Sequence, residues 1–114
     1  MKTNFEYRKG VLFIRLSGIL TKETVNNFQN ELNQIINDSG IVNIVLNIEK
    51  ISNIDQKGIH LLYYLYELVL KRNGNILICS NINENVRKKL KGKRILNYIH
   101  EINNELDAFK LIHV

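Results

Sequence analysis

Residues 41–79 read IVNIVLNIEKISNIDQKGIHLLYYLYELVLKRNGNILIC, and the way this stretch divides decides the fold. The run IVNIVLNI at 41–48 is short, nearly all apolar and rich in β-branched residues. Such a run suits a strand covered on both faces, as in the interior of a parallel sheet. A loop around Glu49 to Asn53 is expected next. Asp55 then has the chemistry of a helix N-cap, a short carboxylate that accepts from the free amides of a first turn. The pattern predicts a helix from there to about Arg72, ended by Asn73-Gly74, and a new strand at NILIC. Strand, helix and strand in that order predict a right-handed parallel crossover.

At 100° per residue, Ile59, Leu62, Tyr63, Tyr66, Val69 and Leu70 form the predicted core stripe of this helix. Leu61, Leu65 and Leu68 widen it, leaving His60, Tyr64, Glu67 and Lys71 as the polar face. A surface helix normally carries a narrower stripe. Either other elements bury the second flank, or the leucines present a docking surface, since exposed apolar patches tend to mark interfaces.

On the N-terminal side, NFEYRKGVLFIRLSG reads as a hairpin turning at Lys9-Gly10, with Gly18 closing the second strand. Thr21 is the expected N-cap of a helix whose stripe is Val25, Phe28, Leu32, Ile35 and Ile36, stopped by Asn37-Asp38-Ser39-Gly40. On the C-terminal side, INENVRKKL predicts a short basic helix, NYIHEI a brief strand, and NELDAFKLI an amphipathic helix. The order of elements predicts one α/β domain over residues 1–114 with a mixed sheet.

Bulk properties narrow the function. With 45% hydrophobic and 24% charged residues the chain has an ordinary globular composition. One cysteine, Cys79, allows no internal disulfide, and in the apolar NILIC run it reads as a small core residue. No spanning apolar segment or signal sequence is expected, and a cytoplasmic location fits. His60, His100 and His113 are scattered, so neither a metal site nor a catalytic set can be assembled, and no cofactor is expected. The net charge of +5 is concentrated in Lys71, Arg72, Arg87, Lys88, Lys89, Lys91, Lys93 and Arg94, opposed in that stretch by Glu84 alone. A basic stretch of this kind is a solvated surface or a contact for an acidic partner; without a reader motif, nucleic acid is not the expected ligand.

The stretch VLFIRLSGILTKETVNNFQNELNQIINDSGIVNIVLNIEKISNID at 11–55, then Gly58 and the helix, resembles the STAS domain of bacterial anti-sigma-factor antagonists. It is most like the small single-domain antagonists of sporulation and general-stress switches. GNILICSNINENVRKKL and ILNYIHEINNELDAF extend the resemblance over nearly the whole chain. The resemblance implies a mixed sheet of four to five strands with about four helices, packed mainly on one side. It implies a cytoplasmic, non-enzymatic module that binds an anti-sigma factor of the serine-kinase type and so releases a sigma factor. A scaffold role in a larger assembly of STAS proteins, with other STAS chains or itself as partner, is the alternative; no membrane contact is implied. The partner-binding positions carried over are Thr21, Asp55, Gln56, Lys57, Gly58, Ile59 and Leu61, with Thr21 standing where the family often has an acidic cap.

One departure stands out. The family's switch is a serine immediately before the glycine in an Asp-Ser-Ser-Gly motif, phosphorylated by the kinase to break the complex. Here the motif is Asp55-Gln56-Lys57-Gly58, so Lys57 occupies the phosphorylation position and both serines are gone. A phosphate would add about 1.5 to 2 negative charges, and Lys57 supplies the opposite sign. A cation in a first helical turn also opposes the macrodipole by roughly 0.3–1 kcal/mol, which an N-cap such as Asp55 offsets. Lys57 is then either a tolerated, solvated lysine or a partner for an acidic residue. Ser52, one loop earlier, reads as structural.

Overall fold

The structure is a computed structural model that describes residues 1–79 and 84–112. Strands β1 (Lys2–Arg8) and β2 (Val11–Leu20) form the expected hairpin, with register Arg8↔Val11 across Lys9-Gly10. Both turn residues have positive φ, 50° and 83°, the two-residue geometry whose twist matches that of paired strands. Helix α1 (Val25–Ser39) leads to β3 (Asn43–Ile54), α2 (Gln56–Lys71) to β4 (Asn75–Cys79), and α3 (Glu84–Gly92) to β5 (His100–Ile102). A 3-10 turn at Ile95–Asn97 precedes β5; another at Glu105–Asp107 leads into α4 (Ala108–Leu111).

The five strands lie in the order β1-β2-β3-β4-β5, with only the β1–β2 pair antiparallel. Strands laid down in sequence by crossovers of one hand put every connecting helix on the same face. Accordingly α1, α2 and α3 share one core with Ile44, Leu46, Ile48, Ile51 and Ile54 of β3. The opposite face carries a smaller cluster, in which Val11, Phe13, Val45, Leu77 and Cys79 pack under Ala108 and Ile112 of the C-terminal segment.

Several boundaries differ from the sequence reading. β3 does not end before a loop at Glu49 but continues to Ile54, and β2 runs past Gly18 to Leu20. The polar EK pair hides this because the β2–β3 register slips there, from Arg15↔Asn47 to Ser17↔Lys50. Such a bulge turns two successive side chains outward and breaks the alternation that marks a strand. Thr21 is not the cap of α1. The helix starts at Val25, and the Thr21 carbonyl accepts from the amides of Thr24 and Val25, both at 2.9 Å. NELDAFKLI is a 3-10 turn and one turn of α-helix rather than a continuous helix.

The α2 stripe is rotated from the expected one. Gly58, Ile59, Leu61, Leu62, Leu65 and Val69 are buried, whereas Leu70 is 58% exposed. Both flanks are covered. The Tyr64 hydroxyl donates to Asn33 Oδ1 of α1 at 2.8 Å, and the Tyr63 hydroxyl donates to the Lys93 carbonyl beyond α3. Leu61 and Leu65 therefore form no docking surface; neighbouring elements bury the second flank. At the far end Gly74 is required by proximity, since a Cβ there would lie 1.9 Å from the Val42 carbonyl oxygen.

Candidate functional site

The start of α2 is organised by one carboxylate. Asp55 Oδ1 accepts from the Gly58 amide at 3.0 Å, and Oδ2 accepts from the Lys22 amide at 2.9 Å. The Asp55 amide donates to the Leu20 carbonyl at 3.3 Å. The residue therefore caps α2 and also ties it to the loop between β2 and α1. Burial works against the charge, but the amides of Lys22, Gly58 and Lys57, with the Lys22 ammonium, hold the carboxyl below its ordinary value. Gly58 completes the junction. A Cβ there would sit 2.3 Å from the Leu20 carbonyl oxygen and 2.7 Å from Ile54 Cγ1, so only glycine lets the helix approach so closely.

This geometry sorts the residues expected to meet a partner. Gln56 and Lys57 are exposed, and Asp55 is half-buried with its carboxylate committed to amides. Gly58 and Leu61 are buried packing residues, and Thr21 is only 8% exposed with its hydroxyl unpartnered among the described residues. These three correct the sequence expectation: they position the surface rather than form it. Ile59, at 4% exposure, belongs to the core and reaches the surface only in the floor of a depression.

That depression, of about 330 Å³, opens between the first turn of α2 and the end of α3. Ile54 and Ile59 line it together with Asp55, Gln56, Gly92, Lys89 and Lys93. Lys89 Nζ donates to Asn53 Oδ1 at 2.7 Å and to the Ile54 carbonyl at 3.1 Å, so its side chain is anchored against the end of β3 by neutral oxygens. The basic stretch of the sequence is thus divided by the fold. Arg87 faces Glu101 at 2.9 Å, Arg72 reaches Asn37 at 3.3 Å, and Lys89 and Lys93 come to the α2 start. Lys22, Lys89 and Lys93 were absent from the expected site, because no local pattern links them to Asp55; the density of lysine around Lys89 was the available signal.

The remaining candidates have ordinary places. Cys79 is buried, and burial together with Glu49, whose Oε1 accepts its thiol at 3.3 Å, pushes its pKa up to about 12, the opposite of an activated nucleophile. Ser52 donates to the Gly18 carbonyl at 3.1 Å. His60 and His100 are exposed, and no group of three or more metal-binding side chains occurs among the described residues. His113 and the first residues of INENVRKKL lie outside the described residues.

A family model described as STAS domain matches residues 2–108. The chain belongs to the STAS domain family. The anti-sigma F factor antagonist of Paenibacillus polymyxa is 24% identical over 114 residues, spanning 100% of this chain and 97% of that protein. Among solved structures, a protein of Thermotoga maritima proposed to be an anti-sigma factor antagonist superposes with a TM-score of 0.89 at 14% identity, covering 96% of this chain and 93% of the other. The Bacillus cell-fate determinant SpoIIAA in its phosphorylated form gives 0.74 at 18% identity, covering 98% and 100%. At such identities the structural likeness speaks for the fold, and this STAS domain is of the anti-sigma-factor-antagonist-like kind. No helix among the described residues is long and apolar enough to cross a membrane.

Proposed function

We propose that this STAS domain is a cytoplasmic, non-enzymatic interaction module that binds an anti-sigma factor of the serine-kinase type and thereby frees a sigma factor. The position used elsewhere in the family as the phosphorylated off-switch holds Lys57, so the complex is not broken by a phosphate there. One observation carries this reading: Lys57 is exposed immediately before the buried Gly58, beside a carboxylate already satisfied by backbone amides. A surface of that kind is open to a partner and offers no hydroxyl to a serine kinase at that position. A phosphate at the same place would bring like charges together across an interface, which costs several kcal/mol; a lysine cannot do so.

The test is direct. The purified protein is mixed with a kinase-type anti-sigma factor from the same genome and ATP. A stable complex without phosphoprotein is the expected result. A stoichiometric phosphate mapped to this chain by mass spectrometry would overturn the unregulated reading, and the absence of any complex would overturn the partner. The scaffold alternative is motivated by the flank Leu61, Leu65 and Leu68 of α2; with Leu61 and Leu65 buried and Leu68 half-buried against the core, little of that flank is left to dock. A monomer by light scattering at high concentration, alone and with STAS paralogues, is the outcome expected.

A further inference from the structure

We propose that the partner reaches this surface with an acidic segment, one apolar side chain seated on Ile54 and Ile59 and carboxylates facing Lys57, Lys89 and Lys93. The inference rests on the reading of the α2 start as a docking surface and names the chemistry that fits it.

The charges are lopsided there. Among the described residues Asp55 is the one acid lining the depression, and its two oxygens are occupied by the amides of Gly58 and Lys22. The Gly58 amide of the first turn is therefore already used, and lysines supply further attraction for an anion. Lys89 is the most informative of them. Its ammonium is partly buried, yet its acceptors are Asn53 and the Ile54 carbonyl, both neutral. Such anchoring fixes the position of the cation without an ion pair among the described residues, so it adds positive charge to the adjoining depression. Lys93 lines the same depression, and its backbone is held by the Tyr63 hydroxyl on its carbonyl. Lys57, in the same first turn of α2, is exposed beside the depression without lining it.

An apolar floor with a cationic rim selects against a basic partner as much as it favours an acidic one, since like charges at an interface are strongly unfavourable. The surface thereby extends from α2 onto the end of α3.

The probes are two synthetic twelve-residue peptides with the same leucine pattern, one with glutamates and one with lysines at the polar positions. Each is titrated against the whole chain at low salt and followed by NMR. The acidic peptide is expected to shift the amides of Ile54, Gln56, Ile59 and Lys93 with a salt-sensitive affinity; the basic peptide leaves them in place. Lys57→Glu and Lys93→Glu should each weaken the acidic peptide by about 3- to 10-fold, whereas Lys110→Glu on α4 changes it by less than about twofold. Equal weakening by all three variants, shifts spread over the whole surface, or stronger binding of the basic peptide overturns the proposal. No anti-sigma factor enters this measurement. Failure of the complex with a kinase-type anti-sigma factor leaves the acidic-segment proposal standing, and failure of the peptides leaves the complex standing.

Discussion

Two carboxylates, one on each side of the sheet, are held ionised by different means. Asp55 sits where α2 begins, and its charge is supported by main-chain amides, two of them within three residues of it. Glu105 lies over the opposite face in the turn before α4. There Arg15 of β2 grips it through two bonds at 2.7 and 2.8 Å, and Asn47 of β3 donates to it at 2.9 Å. Arg15 is the largest influence, outweighing burial, and with Asn47 it holds Glu105 below its ordinary value. Asp55 is a local device that shapes the start of α2. Glu105 is a long-range clasp that closes the C-terminal segment over Phe13, which meets Phe109 edge-on at 5.6 Å. A carboxylate in a motif tells of its neighbours in the chain, whereas one in a turn tells of whatever the fold happens to bring opposite.

The largest effect expected from disturbing either region comes from the glycine that lets Asp55 do its work. Gly58→Ala forces a Cβ against Leu20 and should cost about 2–4 kcal/mol in denaturant unfolding, within the range of overpacking and backbone displacement. Gly92→Ala, at the end of α3, meets nothing within 4 Å and should be neutral or slightly stabilising. Equal costs at the two positions would show that close packing at Gly58 is not what makes that glycine necessary.

Next come the carboxylates themselves. Asp55→Ala removes a cap and the link to Lys22 and should cost about 1–2 kcal/mol. Glu105→Gln, losing a partly exposed ion pair, should cost about 1 kcal/mol or less, and that cost should shrink in high salt while the Asp55 cost changes little.

The pH dependence separates them further. Both groups have folded-state pKa values below their unfolded ones, so each contributes stability that is complete above the unfolded value, near pH 4, and lost as pH falls through the folded value. Asp55→Asn and Glu105→Gln should each flatten part of the acid limb of a stability-against-pH curve, and the double variant should flatten more than either. The smallest structural effect belongs to Lys57→Ser, within about 0.5 kcal/mol in thermal melting, as for an exposed side chain. Its functional readout is a gain: phosphate incorporation by a cognate kinase. Continued inertness with the kinase bound would show that the departure from the family involves more than one side chain.

The α2 start was legible because its chemistry is short-range. A carboxylate three residues before a glycine, ahead of an apolar periodic run, specifies a cap whatever surrounds it, and Asp55 caps as read. The bulge at Glu49–Lys50 was not legible, since two outward polar residues in a strand look the same as a loop in one dimension. Neither was the orientation of α2. Its stripe was wide enough to permit several rotations, and the choice was made by α1 on one flank and by the segment around Lys93 on the other. That choice buried Leu61 and Leu65, removing the apolar docking flank, and left Leu70 outside.

By itself the sequence determined the order of strands and helices, the hairpin turn, the cap at Asp55 and the lysine at position 57 ahead of Gly58. All of these depend on side-chain period, on backbone freedom or on the identity of single residues, which neighbours in the chain settle among themselves. Only the tertiary structure decided that Lys89 and Lys93 come to the start of α2, that Thr21 is walled in, and that Arg15 meets Glu105 from ninety residues away. Those pairings depend on which faces of the sheet are covered and how each helix is rolled upon it, and that is settled by burying apolar area across the whole domain at once.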